Sequence, residues 1–491
     1  MEYLPTKKSV NQHRDPQWHM DAKLGIFIHW GLFSVPAFAP IEYGDITEII
    51  ANHGPQFAMK NHPYAEWYLN SLRTGSKVYQ DYHKNTYGED FKYEQFAEIF
   101  KEESQNWNPK EWADLFKKAG AKYCVLTTKH CEGFLMWPSD TENPNHTDYY
   151  SKRDLVGELA NAVRKVNIKF GVYYIGIWDW SFNTIPITDL TSYAANAITT
   201  QEFADYSATH FKELIDKYKP DVLYSDIGYP IKGNAYEIIS YYLNKVPDGA
   251  VNNRWQKFPK WLKILPKTFL LKKIINWVGK RVVKKKKGLP LSKLKIGDYL
   301  TPEYTTTSNI SDVKFEVTRG IGRSFGYNKM ETEEHYLSEK ELIWLFIDIV
   351  SKNGNLLLNI GPKADGSVPE IQKNRLLSLG KWIRRNEKGI YATIPWKRAE
   401  AIAKQISNNI IFKVRYTASK DGKNLFIFLS EIPDEGKVKI ENLTLTIDSE
   451  VYIMDDNDKR ILTWKKDGDD VVIDIPNIPK NWISLGIACN I

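Results

Sequence analysis

The sequence predicts an α/β protein in which a (β/α)8-like, TIM-type barrel is followed by a C-terminal antiparallel β-sandwich domain. Up to about residue 390, short apolar runs alternate with helical patterns, which is typical of a parallel sheet. The number of these runs is closer to a closed barrel than to an open sheet. From about Trp396 the pattern changes to alternating apolar and polar residues between Gly, Asp and Asn turns. We therefore predict a barrel domain over residues 1–395 and a sandwich domain over residues 396–491.

Six apolar runs of strand length predict the parallel strands of the barrel. They cover residues 24–31, 122–130, 169–176, 221–228, 250–255 and 355–362. Two of the helices between them have recognisable ends. Asn108 followed by Pro109 predicts a helix start, and Gly120 predicts the end of that helix. Ser338 and Glu341 have the spacing of a capping box, which predicts the start of a second helix.

The C-terminal domain is predicted from three segments in which apolar residues alternate with polar ones. These segments cover residues 424–431, 442–448 and 470–475. The total length of 491 residues agrees with this division, because it exceeds the usual size of one domain and suits a barrel plus a smaller domain.

Cysteine usage and the N-terminal sequence predict a cytoplasmic protein. The three cysteines, Cys124, Cys131 and Cys489, are odd in number and form no CxxC pair, which argues against a disulfide framework. The first 23 residues contain no apolar core of signal-peptide length. Nowhere do about 18 apolar residues follow one another, as a transmembrane helix would require.

The positive charge of the chain is concentrated in one segment. Residues 249–297 contain 15 of the 67 Lys and Arg residues and none of the 60 Asp and Glu residues, which leaves 52 basic and 60 acidic residues elsewhere. The body of the protein is therefore acidic, and a basic insertion at about residues 256–296 interrupts it.

Polar side chains follow several of the predicted strands, at the point where each strand ends. In a barrel these ends meet on one face, where function is expected. A single histidine or aspartate there is more often structural, but several ionisable groups on one rim favour a binding or catalytic site. The residues concerned are His29, Lys129, His130, Tyr173, Tyr174, Asp226 and Arg254.

The spacing of these residues argues against several kinds of site. His29 is followed by Trp30 and Gly31, and His130 by Cys131 and Glu132, so neither HxH nor HExxH is present and no metal is expected. The chain also lacks the P-loop motif and a strand-linked G-x-G-x-x-G motif, so no cofactor is expected. Carboxylates, histidines, an arginine and aromatic residues remain, and this combination suits a sugar-binding pocket.

Ten sequence motifs resemble those of the α-L-fucosidases of glycoside hydrolase family 29. The resemblance runs in order over about residues 15–395. The motifs are KLGIFIHWGLFSVPA (23–37), EWY (66–68), TTKHCEGFLMW (127–137), RDLVGEL (153–159), KFGVYY (169–174), LYSDIGYP (223–230), NNRW (252–255), TPEY (301–304), FEVTRGIGRSFGYN (315–328) and LLLNIGPKADGSVP (356–369).

This resemblance implies a retaining, exo-acting α-L-fucosidase that hydrolyses terminal α-L-fucosyl residues of a glycan or glycoside through a covalent fucosyl-enzyme intermediate. Asp226 matches the family's nucleophile. Glu303 in TPEY matches the segment that carries the general acid/base in well-characterised members, and the alternative for Glu303 is a loop glutamate on the surface. A related glycosidase of different sugar specificity and a catalytically silent fucose-binding protein are the alternatives for the whole chain.

The resemblance also implies a set of residues that bind the fucose ring. They are His29, Glu66, Trp67, His130, Tyr173 and Arg254. Two positions depart from the family pattern. Cys131 stands where a second histidine is usual, so a weak donor replaces a good one. Tyr224 stands where many relatives have tryptophan, so the aromatic wall gains a polar group.

The basic insertion predicts an amphipathic helix within residues 261–288. Leu270, Leu271, Ile274, Ile275 and Val278 have helical spacing, with lysines between them. This helix has four possible roles: packing on its own barrel, binding an anionic membrane surface as a peripheral contact, covering the pocket, or joining the subunits of a homo-oligomer. A nucleic-acid partner is not expected, because no recognised binding module accompanies the charge.

Overall fold

A curled parallel sheet forms the first part of the chain in the computed structural model, which describes residues 2–258, 268–285, 294–455 and 459–491. The sheet has seven strands in the order β5-β4-β3-β2-β1-β7-β6. Their bounds are β1 (Leu24–Ile28), β2 (Tyr123–Lys129), β3 (Lys169–Ile175), β4 (Val222–Asp226), β5 (Ala250–Val251), β6 (Phe315–Gly320) and β7 (Gly354–Ile360).

Helices connect these strands and pack around the sheet. None of the helices in the described part of the chain is long and apolar enough to cross a membrane. Their bounds are α1 (Lys7–Val10), α2 (Gln17–Ala22), α3 (Ile46–His53), α4 (Pro55–Lys60), α5 (Tyr68–Arg73), α6 (Lys77–Tyr87), α7 (Phe96–Glu103), α8 (Pro109–Ala119), α9 (Leu155–Lys165), α10 (Leu190–Ala195), α11 (Gln201–Tyr218), α12 (Ala235–Lys245), α13 (Phe269–Lys285), α14 (Glu339–Ser351) and α15 (Glu370–Asn386).

The gap between the edge strands β5 and β6 is closed by residues 299–303, which form isolated bridges instead of a regular strand. Asn252 forms a parallel bridge with Tyr299, and Leu300 forms one with Phe315. Glu303 bridges Thr318 further along β6. The seven strands and this closing segment (residues 299–303) together complete a barrel, so the fold class predicted for this part of the chain is confirmed.

The second sheet is antiparallel and has nine strands, in the order β13-β12-β16-β10-β9-β8-β11-β15-β14. It curves around its own apolar core, and β13 contacts β15 near the opposite end of the sheet. The strands are β8 (Thr393–Gln405), β9 (Ile411–Ser419), β10 (Asn424–Leu429), β11 (Gly436–Ile440), β12 (Val451–Ile453), β13 (Arg460–Leu462), β14 (Trp464–Asp467), β15 (Asp470–Ile475) and β16 (Leu485–Asn490).

The predicted helix ends are confirmed. Asn108 accepts a hydrogen bond from the amide of Lys110 at the start of α8, and Gly120 ends that helix with a left-handed φ of 86°. The capping box of Ser338 and Glu341 is present at the start of α14.

Two details of the strand prediction are corrected. Strand β6 was not among the predicted runs, because Glu316 and Arg319 interrupt its apolar residues. Glu316 is nevertheless buried, where it pairs with His19 at 3.3 Å and accepts a hydrogen bond from Tyr123. The predicted strand at 442–448 is wrong, since this stretch forms turns and irregular backbone. The domain boundary between residues 395 and 396 stays a prediction, and β8 runs across it.

A nearly buried ion cluster joins helix α14 to the antiparallel sheet. Asp348 on α14 accepts a hydrogen bond of 2.6 Å from Nε of Arg415 on β9, and its other partner is Lys352 at 2.8 Å. About a tenth of the Asp348 side chain is exposed. A second pair between the same parts, Lys340 with Glu431, lies in solvent.

Removing the nearly buried carboxylate of Asp348 should destabilise the protein far more than removing the exposed carboxylate of Glu431. Asp348→Ala leaves Lys352 without its carboxylate and leaves Arg415 with only Glu400, which lies 3.1 Å from its Nη2, so we expect a loss of about 3 kcal/mol in the free energy of unfolding. Glu431→Ala is the matched control and should cost less than about 1 kcal/mol. Urea unfolding followed by circular dichroism measures both, and equal losses would contradict the assignment.

Candidate active site

The carboxyl-terminal ends of the parallel strands surround a cavity of about 180 Å³. This volume lies below the range of about 300–1,000 Å³ that is typical of drug-sized ligands, so the cavity suits a single small ring. Lys129 and Tyr174 do not line it, but every site residue implied by the family resemblance does. They are His29, Glu66, Trp67, His130, Cys131, Tyr173, Tyr224, Asp226, Arg254 and Glu303.

Asp226 ends strand β4 and is held as a carboxylate by three hydrogen bonds. Nη1 of Arg254 donates to its Oδ1 at 2.7 Å, and the hydroxyl of Tyr173 donates to its Oδ2 at 2.9 Å. The amide of Ile227 donates to Oδ1 at 2.8 Å. Burial would raise the pKa of Asp226, but Arg254 and the other donors lower it below its ordinary value. Asp226 is therefore ionised at neutral pH.

The backbone after Asp226 is in an unusual conformation. Ile227 has a φ of 61°, in the left-handed region that a β-branched residue rarely adopts. In this conformation the amide of Ile227 points back to the carboxylate of Asp226. Such strain persists only where the surrounding structure enforces it, and it is common at functional sites.

Glu303 lies in the closing segment and faces Asp226 across the same guanidinium group. Its Oε2 lies 3.6 Å from Nη1 of Arg254, and its Oε1 accepts a hydrogen bond of 3.2 Å from the hydroxyl of Tyr64. Burial and the nearby charge of Asp226 raise the pKa of Glu303, although Arg254 opposes this shift. The pKa values of these two carboxyl groups are thus shifted in opposite directions, downwards for Asp226 and upwards for Glu303.

The contacts of Arg254 limit the distance between the two carboxyl groups. Nη1 lies 2.7 Å from Oδ1 of Asp226 and 3.6 Å from Oε2 of Glu303, so these oxygens are at most 2.7 + 3.6 = 6.3 Å apart. Retaining glycosidases have carboxyl groups about 5–5.5 Å apart, whereas inverting enzymes need about 6.5–9.5 Å. The upper limit therefore favours retention.

Arg254 is itself held by the closing segment. Its Nε donates to the hydroxyl of Thr301 at 2.9 Å, and its Nη2 donates to the carbonyl of Thr301 at the same distance. Asn253 accepts hydrogen bonds from the amide and hydroxyl of Thr301. The end of β5 and the closing segment are therefore fixed to each other beside the two carboxyl groups.

His29 follows strand β1 and is neutral. Its Nδ1 lies 2.6 Å from Oδ1 of Asn359, whose amide nitrogen donates to the carbonyl of Phe325 at 2.7 Å. Because an amide oxygen only accepts, Nδ1 carries the proton and Nε2 is left as an acceptor. Burial and the charge of His130 lower the pKa of His29 to about 3.

His130 follows strand β2 and favours the charged form. Its Nδ1 lies 3.5 Å from Oε2 of Glu132, and its ring stacks on Tyr173 with an interplanar angle of 15°. Burial would lower the pKa of His130, but the nearby carboxylate of Glu132 raises it above its usual value. Burial also raises the pKa of Cys131, so this residue presents a thiol and not a thiolate to the cavity.

Glu66 is a third carboxyl group in the cavity wall. It is buried, and its Oε2 accepts a hydrogen bond of 2.8 Å from the amide of Gly326. Burial raises its pKa to about 7, so protonated and ionised forms coexist near neutral pH. In either form Glu66 can accept a hydrogen bond from a sugar hydroxyl.

Aromatic side chains form much of the remaining wall. Trp67 stacks on His62 with a ring separation of 4.4 Å, so its ring is fixed in place. Tyr173 and Tyr224 stack at 5.7 Å. Sequence reasoning did not single out Tyr64 and Phe325, which also line the cavity. Their positions in the sequence indicate the same site, since Tyr64 lies two residues before Glu66 and Phe325 lies within the motif 315–328.

Among the described residues, no group of three or more His, Cys, Asp and Glu side chains is placed to hold a metal ion. Asp226 and Glu303, whose pKa values are shifted in opposite directions, lie in the cavity with the guanidinium of Arg254 between them.

Comparison with known proteins gives a consistent result. The family model described as alpha-L-fucosidase matches residues 1–388. The chain is similar to the human tissue alpha-L-fucosidase, with 30% identity over 500 residues that cover 100% of this chain and 91% of the relative. It is also similar to the Thermotoga maritima alpha-fucosidase in complex with a mechanism-based inhibitor, at 38% identity, a TM-score of 0.80 and full coverage of both chains. A Thermotoga maritima alpha-L-fucosynthase matches with 38% identity, a TM-score of 0.83 and 99% coverage of both chains.

One of two buried histidines should be neutral and the other positively charged at neutral pH. Burial lowers the pKa of His29 to about 3. Burial would also lower the pKa of His19, but Asp15 and Glu316 raise it to about 9. Nitrogen-15 NMR of the imidazoles, assigned with His29→Asn and His19→Gln variants, should show at pH 7 a neutral His29 protonated on Nδ1 and a cationic His19. Titration of His29 between pH 5 and 8 would contradict this assignment.

Proposed function

Because the chain belongs to the α-L-fucosidase family, we propose that Asp226 and Glu303 are the nucleophile and the general acid/base with which it hydrolyses terminal α-L-fucosides. The observation that carries this proposal is the position of Arg254 between the two carboxyl groups. It limits their oxygens to a separation of at most 6.3 Å, the sum of contacts of 2.7 and 3.6 Å, which suits a retaining mechanism.

In the first step, the carboxylate of Asp226 attacks the anomeric carbon while the bond to the leaving oxygen breaks. Glu303 gives its proton to that oxygen, and a covalent fucosyl-enzyme forms on Asp226. The pKa directions of the two groups fit these roles, because the pKa of the nucleophile Asp226 is lowered and that of the acid Glu303 is raised.

In the second step, Glu303 is ionised and acts as a base. It takes a proton from water, and the hydroxide equivalent displaces Asp226 from the anomeric carbon. Two displacements at the same carbon give net retention, and the proton gained by Glu303 restores the starting enzyme. A cavity of about 180 Å³ suits one sugar ring, which supports exo action on a terminal residue.

The remaining predicted residues would bind the fucose ring. Nε2 of His29 can accept a hydrogen bond from one sugar hydroxyl, and the charged His130 can donate a hydrogen bond to another. Trp67, whose ring is fixed by His62, offers a flat surface to the apolar side of the sugar. The buried Cys131 thiol is a weak donor, so it would contribute less to affinity than a histidine at that position.

Partners and location beyond this substrate stay predictions. They include the cytoplasmic location, a homo-oligomer, and a membrane or subunit contact through the basic insertion. The silent fucose-binding alternative is tested by turnover of an aryl α-L-fucoside, which the fucosidase assignment requires and the alternative forbids.

Azide rescue should separate the roles of the two carboxyl groups by the stereochemistry of its product. In Asp226→Gly, azide fills the space of the missing carboxylate and attacks the substrate directly, which gives the inverted β-fucosyl azide. In Glu303→Ala, azide attacks the covalent intermediate, which gives the retained α-fucosyl azide. Without azide we expect Glu303→Ala to lose about 10²–10⁴ in rate, and Asp226→Gly to lose at least as much.

The reaction uses an activated aryl α-L-fucoside, and NMR of the product identifies the anomer. Asp226→Asn is the matched control, since it keeps the shape of the side chain, leaves no space for azide and should not be rescued. If Asp226→Gly gave the α-fucosyl azide and Glu303→Ala the β-fucosyl azide, the two roles would be reversed. Full activity of Asp226→Gly would remove Asp226 as the nucleophile.

Replacing Arg254 by Met should move both limbs of the pH profile of kcat/KM to higher pH. Arg254 lowers the pKa of Asp226 and opposes the rise in the pKa of Glu303, so its removal raises both values. The nucleophile then ionises at higher pH, and the acid stays protonated to higher pH. Arg254→Lys keeps a cation and should shift the profile less. The limb at low pH reports the ionisation of Asp226. If this limb stays in place or moves to lower pH in Arg254→Met, the proposed role of Arg254 is contradicted.

A further inference from the structure

Helix α13, which lies within the predicted basic insertion, turns its apolar side chains away from the protein. Residues 259–267 and 286–293 of that insertion lie outside the described residues. Amphipathic helices of globular proteins normally bury their apolar side. On α13 the apolar face (its six large exposed apolar side chains) points outwards instead. These side chains and their exposed fractions are Leu270 67%, Leu271 43%, Ile274 47%, Trp277 54%, Val278 43% and Val282 42%.

The polar side of α13 fixes the helix to the protein. Nζ of Lys272 lies 2.9 Å from Oδ2 of the buried Asp189, and the buried Asn276 accepts a hydrogen bond of 3.3 Å from the amide of Leu190. Gly279 lies so close to Leu190 that a Cβ there would come within 2.2 Å of its side chain. Lys280 donates to the carbonyl of Asn52 at 2.8 Å. The outward direction of the apolar face therefore follows from specific contacts.

This orientation answers two of the alternatives raised by the sequence. The expectation that the apolar stripe packs on its own barrel is wrong for the described part of the helix, because the polar stripe does so. Among the described residues of α13, none lines the cavity, which argues against a cover over the pocket. The helix instead contacts α3, α4 and α10, which contribute Ile46, Met59 and Tyr193 to the cavity wall.

Cations accompany the apolar face. Arg281 and Lys284 are exposed, and the guanidinium of Arg281 lies 3.8 Å from the ring centre of Trp277. The helix contains no acidic residue, and neither does the whole stretch from 249 to 297. Leucine, isoleucine, valine and tryptophan on one side with Lys and Arg beside them are the composition of helices that lie in a membrane interface.

We propose that the apolar face of α13 binds the surface of an anionic lipid membrane. The apolar side chains would enter the boundary between headgroups and acyl chains, with Trp277 at headgroup level, while Arg281 and Lys284 contact lipid phosphates. A second copy of the chain is a poorer partner for the same face. A symmetric pair of α13 helices would bring two segments without acidic residues together, and like charges would repel.

Vesicle co-sedimentation of the full chain tests this proposal. The wild type should bind vesicles that contain phosphatidylglycerol and should bind pure phosphatidylcholine vesicles more weakly, with the difference falling at high salt. The double variant Ile274→Glu/Trp277→Glu should lose at least about tenfold in vesicle binding, because it removes apolar burial and adds repulsion. Arg281→Glu/Lys284→Glu should remove the preference for anionic vesicles.

The matched control carries the same kind of change in the C-terminal part of the chain, away from α13. Ile447 and Ile461 are 93% and 65% exposed, so Ile447→Glu/Ile461→Glu should bind vesicles as the wild type does. Turnover of a soluble aryl α-L-fucoside should be the same in all four proteins and shows that each is folded. If the wild type has no such turnover, circular dichroism provides this check, and the fucosidase assignment fails independently of the vesicle result.

Two results would overturn the proposal. One is wild-type binding that does not depend on anionic lipid or on Ile274 and Trp277. The other is a wild type that ignores vesicles but forms an oligomer in sedimentation velocity, with Ile274→Glu/Trp277→Glu becoming monomeric. That second result would assign the apolar face of α13 to another copy of the chain.

Discussion

The guanidinium group of Arg254 is the contact on which the proposed chemistry depends. Its Nη1 lies 2.7 Å from Asp226 and 3.6 Å from Glu303, so one cation serves both carboxyl groups. Burial raises the pKa of each, but the shorter contact, together with the donors Tyr173 and Ile227, reverses the effect at Asp226 alone. The pKa values of two carboxyl groups in one cavity are thereby moved apart, in the directions that a nucleophile and a general acid of a retaining hydrolase need.

The position of Arg254 depends in turn on the least regular part of the barrel. Strand β5 has only two residues, and the closing segment forms isolated bridges instead of a ladder. Thr301 binds Arg254 through its hydroxyl and its carbonyl, and Asn253 binds Thr301. Side chains therefore replace part of the missing ladder at this place. The same contacts that complete the barrel place Glu303 opposite Asp226.

The sequence was sufficient where the apolar pattern alone decides the structure. Strands β1 to β4 are buried and rich in apolar residues, and the polar residues at their carboxyl ends reach one rim because parallel strands end on the same face. The pattern failed at β6, where Glu316 is buried only because His19 and Tyr123 come from elsewhere in the chain. At 442–448 the pattern predicted a strand that does not form, because Leu443 and Leu445 are buried without a ladder of hydrogen bonds to another strand.

The orientation of α13 was beyond sequence reasoning for a similar reason. Helical periodicity identifies an apolar and a polar side, but it does not say which side contacts the protein. Asp189, a buried carboxylate outside the helix, holds the polar side of α13 against the protein. It pairs with Lys272 and lies 3.4 Å from Nδ2 of Asn276. The site residues were more predictable, because long motifs identified them, although their protonation states required the contacts.

The central claim is that Asp226 forms the covalent bond to the sugar. The most direct measurement uses a 2-deoxy-2-fluoro-fucosyl fluoride, whose fluorine at C2 slows both steps while the reactive leaving group lets the first proceed. Mass spectrometry of the digested protein should find one fluorofucosyl group, on the peptide that contains Asp226, and Asp226→Gly should remain unlabelled. A label on Glu303 or Glu66, or labelling that persists in Asp226→Gly, would contradict the account.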